Sequence, residues 1–279
     1  MSKKKILWPE ENKSAGMISI ELDGEFIWLL LNPTNINRPK TLSMGTYGLH
    51  RGLDRMLLSL KERKIRATFF VPGIIAEKYP DKVREIHNAG HEIALHGYML
   101  ENFGLMTPGQ QKEAIDKGIK AIESVIGSKP AGFRLPEGNM TPETLGIIRD
   151  AGFEYDSSMP DDDLPYTCQI DGEASEMVEI PMRWELQDFP YFAFNYFPPF
   201  PPGECRIANY DEVMDIWLTE LYGYHRQGLC YVIKFDPQSI GTPARMYMFD
   251  KVLDEMLAKD MWVATGREIA DYYRENYMK

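Results

Sequence analysis

Seven short apolar runs, each ending at glycine, proline or a charged residue, alternate along the chain with amphipathic helical patterns, and this alternation limits the fold more than any other feature. The runs are "MISIEL" (17–22), "ATFFVPG" (67–73), "HEIALHG" (91–97), "AGFRLPEG" (131–138), "MVEIPMRW" (177–184), "CYVIKFD" (230–236) and "MWVATG" (261–266). Their enrichment in Ile, Val and Phe reads as buried strands. Between them, "TPGQQKEAIDKGIKAIESVIG" sets Thr107 as N-cap, Pro108 at the first helical position and Gln110 three after the cap. Ile115, Ile119, Ile122 and Ile126 then form one apolar stripe that Gly127 ends. "TPETLGIIRDAG" repeats the device with Thr141, Pro142 and Gly152. Strands alternating with helices of this length make βα units around a parallel sheet, open or closed into a barrel. One domain over residues 1–279 is expected, since α/β barrels of roughly 200–250 residues commonly form one unit.

Groups able to do chemistry fall at the strand ends. Glu21, Asp23 and Glu25 follow the first run, His96 ends the third, Arg134 and Glu137 the fourth, and Asp236 ends "CYVIKF". In a parallel barrel the carboxyl ends of all strands face one side, so these distant groups converge there. A lone histidine is more often structural than catalytic, and His91 in "AGHEIAL" is read that way. Within "HGYMLENF" (96–103), two histidines four apart could share a metal, but the position four after His96 is Leu100.

The formal charge of −11 argues against a nucleic-acid backbone or an anionic membrane surface as partner, because both are bound by concentrated Lys and Arg. Lys3-Lys4-Lys5 is followed by "ILWPEEN", too short and too soon interrupted for a signal-peptide core, and no apolar stretch could span a bilayer. A cytoplasmic location is expected. Cys168, Cys205 and Cys230 lack paired spacing and read as free thiols. The aromatic, proline-rich "DFPYFAFNYFPPFPPGE" (188–204) cannot be a regular helix. Its aromatics fold back on the core, cover the pocket mouth, or bury themselves against another subunit.

The blocks "ISIELDGEF", "YGLHRGLDRMLLSLKERKIRATFFVPG", "AGHEIALHGY", "GFRLPEGNMTPETLGIIRDAGFEYDSS", "DDDLPY" and "IGTPARMYMFDKVLDEMLAKDMWVATGREIADYY", in this order, resemble the polysaccharide deacetylase (NodB homology) family. The resemblance is closest to a branch that holds peptidoglycan-deacetylase-like proteins, an allantoinase and cyclic imide hydrolases. It implies an α/β fold, a distorted (β/α)7 NodB-type barrel, and that branch tends toward homotetramers. It also implies roles. Position 21 would be the base, here Glu21 where the family has Asp; Asp23 and His96 would be metal ligands; Leu100 stands where the third ligand belongs; and Asp236 replaces a proton-donating histidine. Arg134 would orient the catalytic carboxylate.

A catalytic zinc needs three protein ligands, and Asp23 with His96 supplies two. Glu21, Glu101 or Asp236 could swing in around a harder cation. No tightly bound cofactor is therefore expected, with a divalent Zn, Mg or Mn held at Asp23 and His96 if one is kept. Leu100 then marks loss of the metal site and a less polar pocket floor. The catalytic candidates are Glu21, Asp23, His96 and Asp236, and the candidates for substrate contact are Arg134, Glu137, Tyr47, Tyr98 and Trp184.

The favoured reading is a hydrolase of a non-peptide C–N bond in a small amide, cyclic imide or ureide, acting as a homo-oligomer on a small-molecule substrate. An acid–base enzyme such as a lyase or isomerase is the alternative, since the same groups serve any proton transfer. A non-catalytic ligand-binding homologue comes third, because Glu for Asp and Asp for His keep titratable groups.

Overall fold

The first strand, Ser14–Glu21, is buried along its whole length, which is the environment of a central strand in a parallel sheet covered on both faces. The computed structural model describes residues 5–136, 138–202 and 207–278. Nine strands, β1 (Ser14–Glu21), β2 (Thr68–Val71), β3 (Glu92–Leu95), β4 (Gly132–Phe133), β5 (Tyr155–Asp156), β6 (Tyr166–Ile170), β7 (Glu173–Glu179), β8 (Cys230–Phe235) and β9 (Met261–Val263), form one sheet. Its order is β6-β7-β5-β4-β3-β2-β1-β8, with β9 paired to β1. All neighbours are parallel except the β6–β7 hairpin.

The sheet curls as the (β/α)7 reading requires. Seven parallel strands, β1 to β5 with β7 and β8, carry the barrel wall. Along the outer edge of β8 irregular segments stand in for a strand: Gln187 bridges to Lys234, the Asp188 N–H donates to the Lys234 carbonyl at 3.3 Å, and the Cys230 N–H to that of Asp163 at 3.1 Å. On the far edge of β1, β9 pairs with Ser14–Gly16 and β2 with Ser19–Glu21.

The helix Pro108–Ile126 has the expected reciprocal Thr107–Gln110 capping box and ends at Gly127, whose φ of 77° favours glycine. The next helix starts at Thr144, two residues later than the motif suggested. The Thr141 N–H instead donates to the Thr144 hydroxyl, reversing the expected cap.

Strand alternation divides the apolar residues between two cores. Ile18, Ile20, Phe69, Val71, Leu95, Phe133, Ile233 and Phe235 face the surrounding helices. Ala15, Met17, Phe70, Ala94, Tyr155, Val178 and Val232 face inward, closed off by the helix Gly266–Tyr277. Continued toward the carboxyl ends, the inward face of β1 runs Ser19 then Glu21, that of β3 reaches His96, and that of β8 runs Lys234 then Asp236. The middle of the barrel is apolar, Glu92 with Thr68 and Tyr155 forms a polar point at its lower end, and the top layer is charged.

The aromatic segment folds back on the core. Phe189 and Phe192 are buried, and Phe189 and Phe200 pack on Trp28 at 6.2 and 5.9 Å. Tyr196 and Phe197 at its tip are exposed; residues 203 and 204 lie outside the described residues, as does Cys205. Cys168 and Cys230 are free and buried. Among the described residues no helix is long and apolar enough to cross a membrane.

Candidate active site

Glu21, the last residue of β1, meets charged groups from three other strands in the top layer of the barrel. Lys234 Nζ of β8 lies 2.5 Å from Glu21 Oε2, and both side chains are buried. Arg134 Nη1, just past β4, lies 3.4 Å from Glu21 Oε1. His96, just past β3, sets Nε2 at 3.7 Å from Glu21 Oε2 and 3.8 Å from Asp23 Oδ1. Its other nitrogen, Nδ1, is 2.9 Å from the Arg134 carbonyl. A carbonyl can only accept, so Nδ1 carries the proton and the Nε2 lone pair faces the carboxylates.

Arg134 is held on every side. Its Nε donates to the Ser157 carbonyl and its Nη2 to the Ser157 hydroxyl, both at 2.8 Å, its Nη1 to the Ser19 hydroxyl at 2.9 Å, and its plane lies 4.0 Å over the Phe70 ring. It therefore fixes the floor geometry rather than swinging toward a ligand.

Burial would push the Glu21 carboxyl up, but Lys234 foremost, with His96 and Arg134, holds it down at about 2. Burial pushes the His96 imidazole down to about 4 against the pull of Glu21. Behind Lys234, the Asp236 N–H donates to both oxygens of Asp188 at 2.9 and 3.0 Å. Burial and the Asp236 charge push the Asp188 carboxyl well above the usual range, and burial raises Asp236 to about 6. Burial and the neighbouring Asp236 thus favour the neutral form of Asp188.

A cavity of about 360 Å³ opens over this floor. Glu21, His96, Arg134 and Lys234 line its base, and Pro136, Met140, Met159, Pro160, Met182 and Trp184 form largely apolar walls, with Asn139 and Gln187 as polar points. A space of this size falls within the range of small-molecule pockets.

A polysaccharide deacetylase profile matches residues 46–155. A Mycobacterium smegmatis crystal structure described as a polysaccharide deacetylase superposes with a TM-score of 0.92 at 31% identity, covering 99% of this chain and 95% of that one. The chain belongs to the polysaccharide deacetylase family. Its class is that of hydrolases acting on C–N bonds other than peptide bonds. The Helicobacter pylori peptidoglycan deacetylase is 26% identical over 84% of this chain and 87% of its own. The structure of Puue allantoinase has the same fold, with a TM-score of 0.81 at 21% identity over 98% of this chain and 94% of that one.

Membership in this family raises the question of a divalent metal. Among the described residues Glu21, Asp23 and His96 are the group whose donor atoms converge, all within 4.8 Å of one another. The surroundings fit such an ion poorly, because Lys234 and Arg134 already occupy the two oxygens of Glu21. Leu100 supplies nothing: with φ of 61° it turns away into the apolar cluster with Leu95 and Phe103, fully buried. The expected less polar pocket floor is therefore corrected, for the floor is polar and Leu100 is not part of it. Glu101 accepts the Tyr98 N–H at 3.0 Å and stays outside the cluster.

The other sequence candidates divide. Asp23 is buried beside His96 behind the cavity wall, and Asp236 caps the helix Pro237–Ile240 by accepting the Gln238 N–H at 2.9 Å. Neither lines the cavity. Trp184 does, 60% exposed at its mouth. Tyr47 and Tyr98 are elsewhere: the Tyr47 hydroxyl accepts from Arg55, and Tyr98 donates to Glu77 under Lys117 on the outer surface. Glu137 lies outside the described residues. Glu25 is tied down by Lys78 and Tyr79. His91 is structural, its Nδ1 accepting the Ala67 N–H at 3.1 Å. Sequence reasoning missed Lys234, Asp188, Ser19 and Ser157. Alternation in "CYVIKFD" was the available signal for Lys234, placing it on one face with Val232 and Asp236.

Proposed function

We propose that this chain, as one catalytic domain, hydrolyses the C–N bond of a small cyclic imide, ureide or related amide. The observation that carries the reading is the neutral Nε2 of His96 aimed between two carboxylates, beside buried cations, at the base of a small apolar-walled cavity.

Water entering between His96 and the substrate carbonyl forms the new C–O bond and passes its proton to Nε2. The imidazolium that results is stabilised by Glu21 and Asp23 on one side, while its Nδ1–H remains bonded to the Arg134 carbonyl. The carbonyl π pair moves onto oxygen, facing the positive side of the floor. When that pair returns, the C–N bond breaks and Nε2 gives its proton to the leaving nitrogen. Held at about 2 and bridged by Lys234, Glu21 is a weak base. Its part here is to hold cations and favour the imidazolium, a different role from the base position that the resemblance implied. Asp236 and Asp188 lie behind Lys234 and set its surroundings.

Apolar walls of this kind suit a flat ring, and the cavity of about 360 Å³ has the size of a small-molecule pocket. The chain's similarity to Puue allantoinase across nearly its full length supports a ring-opening substrate. The test is a side-by-side screen of cyclic imides, hydantoin-type ureides and aryl amides against N-acetylglucosamine oligomers and peptidoglycan. Turnover within the first group alone is expected. Deacetylation of the oligomers with inert imides overturns the substrate class, and elimination or proton exchange on a carbonyl compound without hydrolysis overturns the reaction class.

A further inference from the structure

The bonds around Glu21 raise a question that the reaction class leaves open: what supplies the positive charge against the developing oxyanion. Arg134 cannot move to do so, because Ser157, Ser19 and Glu21 engage its nitrogens and Phe70 stacks beneath it. Lys234 differs. It lines the cavity, its Nζ contacts Glu21 Oε2 at 2.5 Å, and its backbone is fixed in β8 by pairing to β1 and to the segment at Gln187 and Asp188.

Charge counting in the buried floor points the same way. The Glu21 carboxylate already pairs with two buried cationic side chains, Lys234 at 2.5 Å and Arg134 at 3.4 Å. A doubly charged ion added against Glu21 would sit beside an ammonium and a guanidinium with little left to balance it, and uncompensated buried charge is strongly disfavoured.

We infer that the Lys234 ammonium fills the place of a divalent cation in this site, so that an internal side chain polarises the substrate carbonyl and no catalytic metal is held. This rests on the hydrolase reading for its catalytic half only. The ammonium stays protonated throughout: it donates to the oxyanion as the C–O bond forms and loses that partner when the C–N bond breaks. Glu21 fixes its position.

Cobalt titration followed by visible absorption tests the metal half without any substrate. Wild-type protein stripped with chelator should show no tetrahedral cobalt spectrum at micromolar metal. Lys234→Met, which frees Glu21 beside Asp23 and His96, should bind cobalt at least roughly tenfold more tightly, and Lys234→Arg should exclude it as the wild type does. Stoichiometric micromolar binding by the wild type overturns the inference whether or not the variants fold, and so does a folded Lys234→Met that binds no better. With any substrate found in the screen, Lys234→Met should lose roughly 10² or more in kcat with KM little changed, and Lys234→Arg should lose less. A Lys234→Met enzyme within tenfold of wild-type kcat overturns the catalytic half. Failure of the screen bears on the substrate class and leaves the titration result standing.

Discussion

Replacing Lys234 by methionine keeps the aliphatic stem, which leads to an ammonium 5.7 Å from the Phe189 ring centroid, and removes only the charge 2.5 Å from Glu21. Breaking a buried ion pair from one side costs about 3–5 kcal/mol, because the remaining charge is left uncompensated. A second route gives a similar size. Glu21 falls from 4.5 to about 2 despite burial, which at about 1.4 kcal/mol per pH unit is about 3 kcal/mol of net stabilisation. Against a total of about 5–15 kcal/mol the variant should still fold. Urea midpoints for wild type, Lys234→Met, Glu21→Gln and the double variant should give a coupling energy of roughly 2 kcal/mol or more, with the double variant better than the sum of the singles. The pH dependence has a defined sign. In the wild type the depressed Glu21 pKa contributes stability that is present above 4.5 and lost as pH falls from 4.5 to 2. Without Lys234, burial is opposed by His96 and Arg134 alone and the pKa rises, so the variant loses much of this contribution. The gap between variant and wild type should therefore narrow as pH falls through 4.5 toward 2. Single costs below about 1 kcal/mol that simply add would refute the buried ion-pair account.

Other consequences can be measured separately. His96→Gln should lower kcat by roughly 10²–10⁴-fold with an unchanged urea m-value, as expected for loss of a general base from an intact fold. His91, pushed down to about 4 by burial, contributes stability that is present above its unfolded value of 6.5 and lost as pH falls toward 4. His91→Gln should flatten that part of the acid destabilisation, on the order of 2 kcal/mol, in thermal melts from pH 7 to pH 5. Gly132→Ala would bring a Cβ to 2.0 Å from the Tyr155 ring, and Tyr155 is anchored to Glu92 at 2.8 Å. A loss of roughly 1–3 kcal/mol is expected in the same melts.

The parallel sheet was legible because β1, β2, β3 and β8 are apolar runs and the helix Pro108–Ile126 carries full capping chemistry. Residues 155–156 and β6 were not, since two-residue β5 has no periodicity to read and Tyr166–Ile170 pairs at an exposed edge, and the run read at 177–184 caught only the buried last three residues of β7, the chain leaving the strand after Glu179. Glu21, His96 and Arg134 were found because they end strands. Lys234 was missed because a lysine inside an apolar run reads as an edge or a snorkelling residue, and its buried partner Glu21 lies more than two hundred residues earlier. Asp188 was hidden in an aromatic segment whose prolines drew attention to its shape. Tyr47 and Tyr98 were drawn in by sequence neighbourhood, and the turn after His96, with positive φ at Gly97 and Leu100, carries Tyr98 to the outside.

The central claim is that His96 activates water to cleave a small molecule's C–N bond. A single turnover of the best substrate from the screen in ¹⁸O-water, with the product read by mass spectrometry, tests it most directly. One ¹⁸O is expected in the newly formed carboxyl or carbamate group with wild-type enzyme, and a rate roughly 10² or more lower with His96→Gln. Product without the label, or labelled product formed by His96→Gln at the wild-type rate, would contradict it.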